Sequence, residues 1–146
     1  MYSIEVDTQI IVGNSYKMID ELAPHEEVVK ERALALVDYL ESLNSDLIVP
    51  SIIVCSKTYM IIDGHHRVSA LKEMGFSSLP CTFIDYSSEQ ILTGKALNSI
   101  SKESLLDACG AKKLFPPKTT CHQILDLKGN MHPLILISNL HHMRRT

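Results

Sequence analysis

Apolar residues recur at intervals of three or four in "VVKERALALVDYLESL", residues 28–43. The repeating positions are Val29, Ala33, Leu36, Val37, Leu40 and Leu43. Because this spacing places their side chains on one face of a helix, it predicts an amphipathic helix of about four turns. Pro24 stands just before it. Glu26 and Glu27 are predicted to lie in its first turn, where the helix dipole favours carboxylates.

Short runs of β-branched residues predict strands on both sides of this helix. Before it, "IIV" and "YKMI" lie within residues 3–19 and are separated by the turn-like "GNS". After it, "LIVPSIIVC" and "YMIID" are separated by the polar "SKT", which favours a hairpin or two neighbouring strands. "LPCTFIDY" predicts a further strand, and "HPLILIS" predicts the last strand. Between them, "LFPPKTTCHQILDL" has two prolines near its start and continues with an alternating pattern of residues.

Two shorter helices are predicted downstream. "HHRVSALKEMG" ends at Gly75, and "SKESLLDACG" begins at Ser101 and is followed by Gly110 as a stop. The stretch "EQILTGKALNSI" indicates no particular element. Since no linker-like composition or internal repeat divides the chain, we predict that residues 1–146 form a single α+β domain. Its helices would pack on a small mixed sheet.

Composition narrows the classes of protein that remain. At 146 residues and 45% hydrophobic, the chain can bury a core, and with no tryptophan that core must be aliphatic. A net charge of −3 argues against a protein whose main role is to bind nucleic acid. The four cysteines form no C-x-x-C pair, which favours reduced thiols. The start "MYSIEVDTQIIVG" is not typical of a signal peptide, and no apolar run approaches the ~20 residues of a membrane span. We therefore expect a cytoplasmic protein that binds neither nucleic acid nor membrane, and a solvated tail "HHMRRT".

The stretch "YMIIDGHHRVSALKEMG" concentrates the candidate chemistry, because a predicted strand enters a predicted helix through Gly64. The first N–H groups of a helix have no partner within it, so such a junction can bind anions. Arg67 adds a planar cation that matches phosphate oxygens, and His65 and His66 can donate further hydrogen bonds. Asp63 would repel a phosphate unless a metal ion or a hydroxyl lies between them, which is the arrangement that phosphoryl transfer uses.

This stretch has two other interpretations. Asp63 could simply cap the helix while Arg67 lies on the surface. A zinc site is disfavoured, because adjacent histidines on a helix point about 100° apart and no further ligands have recognisable spacing.

The segments "PHEEVV", "VPSIIVC", "IIDGHHRVSALKEMG", "LPCTFIDY" and "FPPKTTCH" together resemble the ParB/sulfiredoxin-like superfamily, and within it the free L-serine kinases. The resemblance spans nearly the whole chain. It implies a ParB/sulfiredoxin-like domain that transfers a phosphoryl group from ATP or ADP, with Mg²⁺, to the hydroxyl of free L-serine. The product would be O-phospho-L-serine.

The resemblance also implies roles for individual residues. Glu26 or Glu27 would be the general base on the serine hydroxyl. The family has one essential glutamate at this position, and because two glutamates are adjacent here, either could correspond to it. Asp63 would orient the hydroxyl or help to hold Mg²⁺. The nucleotide phosphates would be bound by Gly64, His65, His66 and Arg67. Thr120 and His122 would hold the phosphate or the carboxylate of the amino acid.

The chain departs from that family at two points. Cys121 stands where the family usually has arginine, and the tryptophan that helps to line the serine pocket is absent. A non-catalytic nucleotide-binding or regulatory module is therefore the alternative. The sulfiredoxin reaction is disfavoured, because His65 stands where that branch has its nucleophilic cysteine.

Overall fold

The computed structural model describes residues 4–43, 46–95 and 99–144. Three α-helices and nine strands occur in these ranges, which confirms the predicted α+β class. In chain order they are β1 (Ile11–Met18), α1 (Lys30–Glu41), β2 (Asp46–Pro50), β3 (Ile52–Cys55), β4 (Ile61–Asp63), α2 (His65–Glu73), β5 (Ser78–Ile84), β6 (Ile91–Leu92), α3 (Lys102–Gly110), β7 (Gln123–Leu125), β8 (Met131–Pro133) and β9 (Leu140–Arg144). Short 3-10 turns cover Thr8–Ile10, Ile19–Glu21 and Leu134–Ile137.

The central sheet has four strands in the order β1-β5-β3-β4. β1 runs antiparallel to β5, β5 runs parallel to β3, and β3 runs antiparallel to β4, so the sheet is mixed as predicted. The parallel pair is joined through β4 and α2. Two smaller sheets accompany it: β2 pairs with β9, and β7 lies between β6 and β8.

The core occupies both faces of the central sheet. All four residues of β3 are buried, and they alternate between two apolar clusters. Ile52 and Val54 point into the first cluster with residues of α1 and α2. Ile53 and Cys55 point into the second, with Leu105 of α3 among its members. This alternation follows from the two-residue period of a strand, and it explains why β3 is apolar throughout.

Four local predictions were wrong. "GNS" is no turn: it lies inside β1, where Gly13, Asn14 and Ser15 pair with β5. "LIVPSIIVC" is two strands, because β2 leaves the central sheet at Ser51 to pair with β9. "HPLILIS" is β8 followed by a 3-10 turn. The tail, which was predicted to be solvated, forms β9 to Arg144 and keeps His142 and Arg144 exposed. At β1 and β2, pairing with a strand distant in sequence outweighs local propensity.

The fourth correction concerns the start of α1. The helix begins at Lys30, and Val29 before it is extended, with φ −79° and ψ 113°. Glu26 and Glu27 therefore precede the helix instead of forming its first turn. The chain there is extended because Ala23 forms a bridge to Met60 and Glu26 forms one to Phe115.

The other two predicted helices are confirmed. α2 begins after Gly64 and ends before Gly75, and the Ser101 hydroxyl caps α3 by accepting a hydrogen bond from Ser104 N. The unassigned stretch 89–100 contributes β6, and its residues 96–98 lie outside the described part. No helix in the described ranges is both long and apolar enough to cross a bilayer.

Candidate functional site

A cleft of about 370 Å³ opens where β4 enters α2. It is lined by Glu26, Ile62, Asp63, Gly64, His65, His66, Arg67, Lys95, Thr120, Cys121, His122, Gln123, Pro133, Leu134 and Ile135. The structure thus brings together every residue that the sequence singled out as a candidate, except Glu27. Glu27 lines a neighbouring depression with Lys72 and Leu114 instead.

The amino end of α2 forms one wall of the cleft. Gly64 is the N-cap residue, with φ 116° and ψ 20°, and its carbonyl accepts a hydrogen bond from Val68 N. The amides of the first helical residues have no acceptor inside the helix. A Cβ at Gly64 would lie 2.9 Å from Nη2 of Arg67 and 3.0 Å from Cδ1 of Ile52. The positive φ therefore favours glycine here, and an added Cβ would displace the end of the Arg67 side chain.

Arg67 folds back over this N-cap, so that its guanidinium lies against Gly64 at the edge of the cleft. Its Nη2 donates to the carbonyl of Ser51 at 3.1 Å and to Oδ2 of Asp63 at 3.4 Å. Burial lowers the pKa of Arg67, and the negative charge of Asp63 partly offsets that effect. Arg67 and Asp63 thus form a partly buried ion pair beside the free amides of α2.

Glu26 reaches the same cleft from the extended segment before α1. Its Oε1 accepts a hydrogen bond from the backbone N–H of Thr120 at 3.0 Å, and Oγ1 of Thr120 lies 3.4 Å away. The flanking backbone is fixed by Phe115, whose carbonyl accepts from Glu27 N and whose N–H donates to the carbonyl of His25. The sequence-predicted Glu26 and Thr120, 94 residues apart, are therefore direct partners.

His65 and His66 fix the same segment from the opposite side. Nε2 of His65 accepts a hydrogen bond from His25 N at 3.1 Å, and Nε2 of His66 accepts one from Val29 N at 3.0 Å. Burial lowers the pKa of His65 to about 3, and it also lowers the pKa of His66. Both rings are therefore neutral near pH 7, and their Nε2 atoms brace the chain on either side of Glu26. Sequence reasoning predicted anion binding for these two residues and did not anticipate this bracing.

Three buried histidines form a row at the cleft, with His65 and His122 on its wall and His25 between them. The ring of His25 meets His65 edge-on at 4.5 Å between centroids and His122 at 5.7 Å. Burial lowers the pKa of His25, and it lowers the pKa of His122 to about 3. Neutral His25 carries its proton on Nδ1, which donates to the carbonyl of Ile61. Its Nε2 is therefore an acceptor, and it accepts a hydrogen bond from the Thr120 hydroxyl, whose Oγ1 lies 3.2 Å away.

His122 ends the row. Its Nε2 lies 2.8 Å from the hydroxyl of Tyr86, whose pKa is raised by burial. Its Nδ1 is buried and has no hydrogen-bond partner among the described residues. His122 lines the cleft, and its contact with the amino acid stays a prediction.

Several cleft residues escaped sequence reasoning. Lys95 lies in the stretch to which no element could be assigned, so no spacing pointed to it. Pro133, Leu134 and Ile135 form an apolar wall that the sequence suggested only as a strand. His25 sits beside the candidate base in "PHEE", and that adjacency was the one available signal for it.

The acids of the cleft set limits on a metal site. No group of three or more His, Cys, Asp or Glu side chains in the described ranges is placed to hold a metal ion. Mg²⁺ commonly binds through one or two carboxylates together with substrate phosphates, so Asp63 alone fits that mode.

Comparison with known proteins gives consistent relatives, although no family model matches the chain. It is 32% identical over 111 residues to an ATP-dependent L-serine kinase of Staphylothermus marinus, covering 64% of this chain and 43% of that protein. It is 39% identical over 72 residues to a ParB-like protein of Sulfolobus acidocaldarius, covering 49% of this chain and 34% of that protein. An ADP-dependent L-serine kinase of Thermococcus kodakarensis is 30% identical over 78 residues, which cover 50% of this chain and 31% of that protein. The chain spans less than half the length of these relatives.

The fold has a counterpart among solved structures. A mutant free serine kinase in complex with AMP superposes with a TM-score of 0.65, covering 83% of this chain and 90% of that one at 12% sequence identity. At that identity the likeness shows the fold alone.

Proposed function

We propose that this chain, which is related to the L-serine kinases of the ParB/sulfiredoxin-like superfamily, transfers a phosphoryl group from a nucleotide to the hydroxyl of free L-serine. The observation that carries the proposal is the meeting of Glu26 with the amino end of α2 in one cleft. A carboxylate that can accept a proton and amides that can bind phosphate are the two parts that this reaction requires.

The nucleotide phosphates would be bound by the free amides at the start of α2. Gly64 allows their close approach, and the ion pair of Arg67 with Asp63 fixes the carboxylate of Asp63 beside them. Mg²⁺, held by Asp63 and the phosphates, would neutralise charge on the transferring group. Thr120 and His122 would contact the amino acid.

In the transfer, the serine oxygen forms a bond to the terminal phosphorus as the bond between that phosphorus and its bridging oxygen breaks. The proton of the serine hydroxyl passes to Glu26, and the electron pair of the broken bond leaves with the shortened nucleotide. Because Thr120 N–H holds Oε1 of Glu26, the other carboxylate oxygen is left to receive the proton. Neutral His65 and His66 fix the backbone on either side of it.

The relatives' names include both ATP-dependent and ADP-dependent kinases, so both donors belong in the assay. The test is phosphoserine formation from L-serine with Mg²⁺ and either nucleotide. Glu26→Gln should lower kcat at least ~10²-fold, the usual contribution of a positioned base, while the circular dichroism spectrum stays unchanged. The matched control is Glu27→Gln, which changes the neighbouring carboxylate outside the cleft and should retain activity. Full activity in the Glu26 variant would overturn the mechanism.

Cys121 favours one other candidate function. A thiol stands here where the resemblance leads us to expect arginine, which removes one cation from the cleft. A module that binds nucleotide without transferring phosphate would show calorimetric binding of ATP or ADP and no phosphoserine with either.

A further inference from the structure

The charges that line the cleft are unequally available to a ligand. The acids are Glu26 and Asp63, and the permanent cations are Arg67 and Lys95. Arg67 is partly buried and already donates to Asp63 and to a backbone carbonyl. Its charge is therefore largely matched inside the protein.

Lys95 is in the opposite situation. It is exposed at the cleft, and no carboxylate in the described ranges pairs with its ammonium. The histidines that line the cleft hold their neutral forms, because burial lowers the pKa of each. Of the described side chains lining the cleft, Lys95 is thus the cation still available to an incoming anion.

The backbone that carries Lys95 is tied to the Glu26 side of the cleft. The carbonyl of Thr93 accepts a hydrogen bond from Cys121 N at 3.0 Å, and the Thr93 hydroxyl donates to the carbonyl of Ile100. Cys121 follows Thr120, whose N–H holds Glu26. Lys95 is therefore anchored to the segment that positions the proposed base, and not to α2, where the phosphates would bind.

From this placement we infer that Lys95 is the specificity-determining residue for the acceptor: its ammonium pairs with the carboxylate of the amino acid whose hydroxyl faces Glu26. This inference rests on the proposed kinase function. An ammonium on a flexible stem is a compact charge that can follow a small substrate, and it selects an amino acid over a neutral alcohol of similar size.

The test measures binding, so that it does not depend on turnover. Calorimetric affinities for L-serine and for L-serinamide, which has no carboxylate, are compared in the presence of AMP, which has no phosphoryl group to transfer. Lys95→Met should weaken L-serine binding about tenfold or more and leave L-serinamide binding unchanged, whereas Lys95→Arg should restore most of the loss. The matched control is Lys128→Met, which removes an exposed lysine from the β7–β8 turn and should behave like the unaltered protein.

The remaining outcomes separate the two proposals. Unchanged L-serine binding in Lys95→Met overturns the inference, as does a loss confined to nucleotide affinity, which would assign Lys95 to phosphate. If the unaltered protein binds L-serine through Lys95 but forms no phosphoserine, the kinase proposal fails and the inference stands. If the unaltered protein does not bind L-serine, both are overturned.

Discussion

Gly64 is the residue on which the cleft depends most directly. Its φ of 116° favours glycine, and a Cβ there would press on Arg67 and Ile52. We expect Gly64→Ala to lower the free energy of unfolding by about 2 kcal/mol or more, from backbone strain and overpacking together. Nucleotide affinity should fall with it, because Arg67 must move. Urea denaturation and calorimetric titration with ATP or ADP measure the two effects.

Gly75 provides the control for this prediction. Its φ is 96°, and a Cβ there would meet nothing within 4 Å, so Gly75→Ala isolates the backbone strain. We expect a loss of about 1 kcal/mol and normal nucleotide affinity. Equal effects of the two substitutions would show that contact with Arg67 is unimportant.

Single residues differ in how well the sequence predicts them. Gly64 and Arg67 were found because a turn residue, a cation and a helical pattern are contiguous in the chain. The roles of His65 and His66 as acceptors could not be found, because their partners lie 40 and 37 residues away. Lys95 likewise gains its meaning only from a cleft that distant segments close.

Among the elements, the extended segment before α1 matters most for the proposed chemistry. Pro24 and the two glutamates predicted the start of a helix here, but bridges to Met60 and Phe115 hold the segment extended. Had it been helical, the N–H of Val29 would not be presented to His66. The wrong prediction of a helical turn at Glu26 therefore concerned the geometry that directs this residue into the cleft.

The bracing by His66 leads to a test at this segment. His66→Ala removes the acceptor for Val29 N–H, and we expect kcat to fall ~10- to 100-fold because Glu26 is no longer held in place. KM should change little. His66→Gln, whose amide oxygen can accept the same hydrogen bond, should recover most of the rate. Steady-state kinetics and hydrogen exchange at the Val29 amide report these outcomes. Equal impairment of both variants would contradict a positioning role.

Across the fold, the sequence predicted the parts that depend on local periodicity. The amphipathic α1, the capped α3 and the apolar β3–β4 hairpin all follow from spacing along the chain. The pairing of β2 with β9 could not be predicted, since it joins Asp46 to Arg144, 98 residues further along the chain. Sheet pairing between distant segments is decided by packing, and local propensity carries little of that information.

The buried histidine row gives the folded protein a characteristic dependence on pH. In the unfolded chain the pKa of a histidine is about 6.5. In the folded chain burial lowers the pKa of His65 and of His122 to about 3. Between these values the unfolded state binds protons that the folded state does not, so the stabilisation is complete above pH 6.5 and is lost as the pH falls. Each of the two histidines contributes up to about 1.4 kcal/mol per pH unit to the slope of the free energy of unfolding against pH.

We therefore expect the free energy of unfolding to decline steadily from pH 7 to pH 5, a window in which carboxylates with ordinary pKa values stay ionised. Urea denaturation at half-unit steps of pH measures the slope. His122→Gln removes one titrating group and should make the slope shallower, whatever its effect on stability at pH 7. A free energy that is constant over this window would mean that the histidines of the row are accessible to protons in the folded state, and the neutral bracing of Glu26 would then lose its basis.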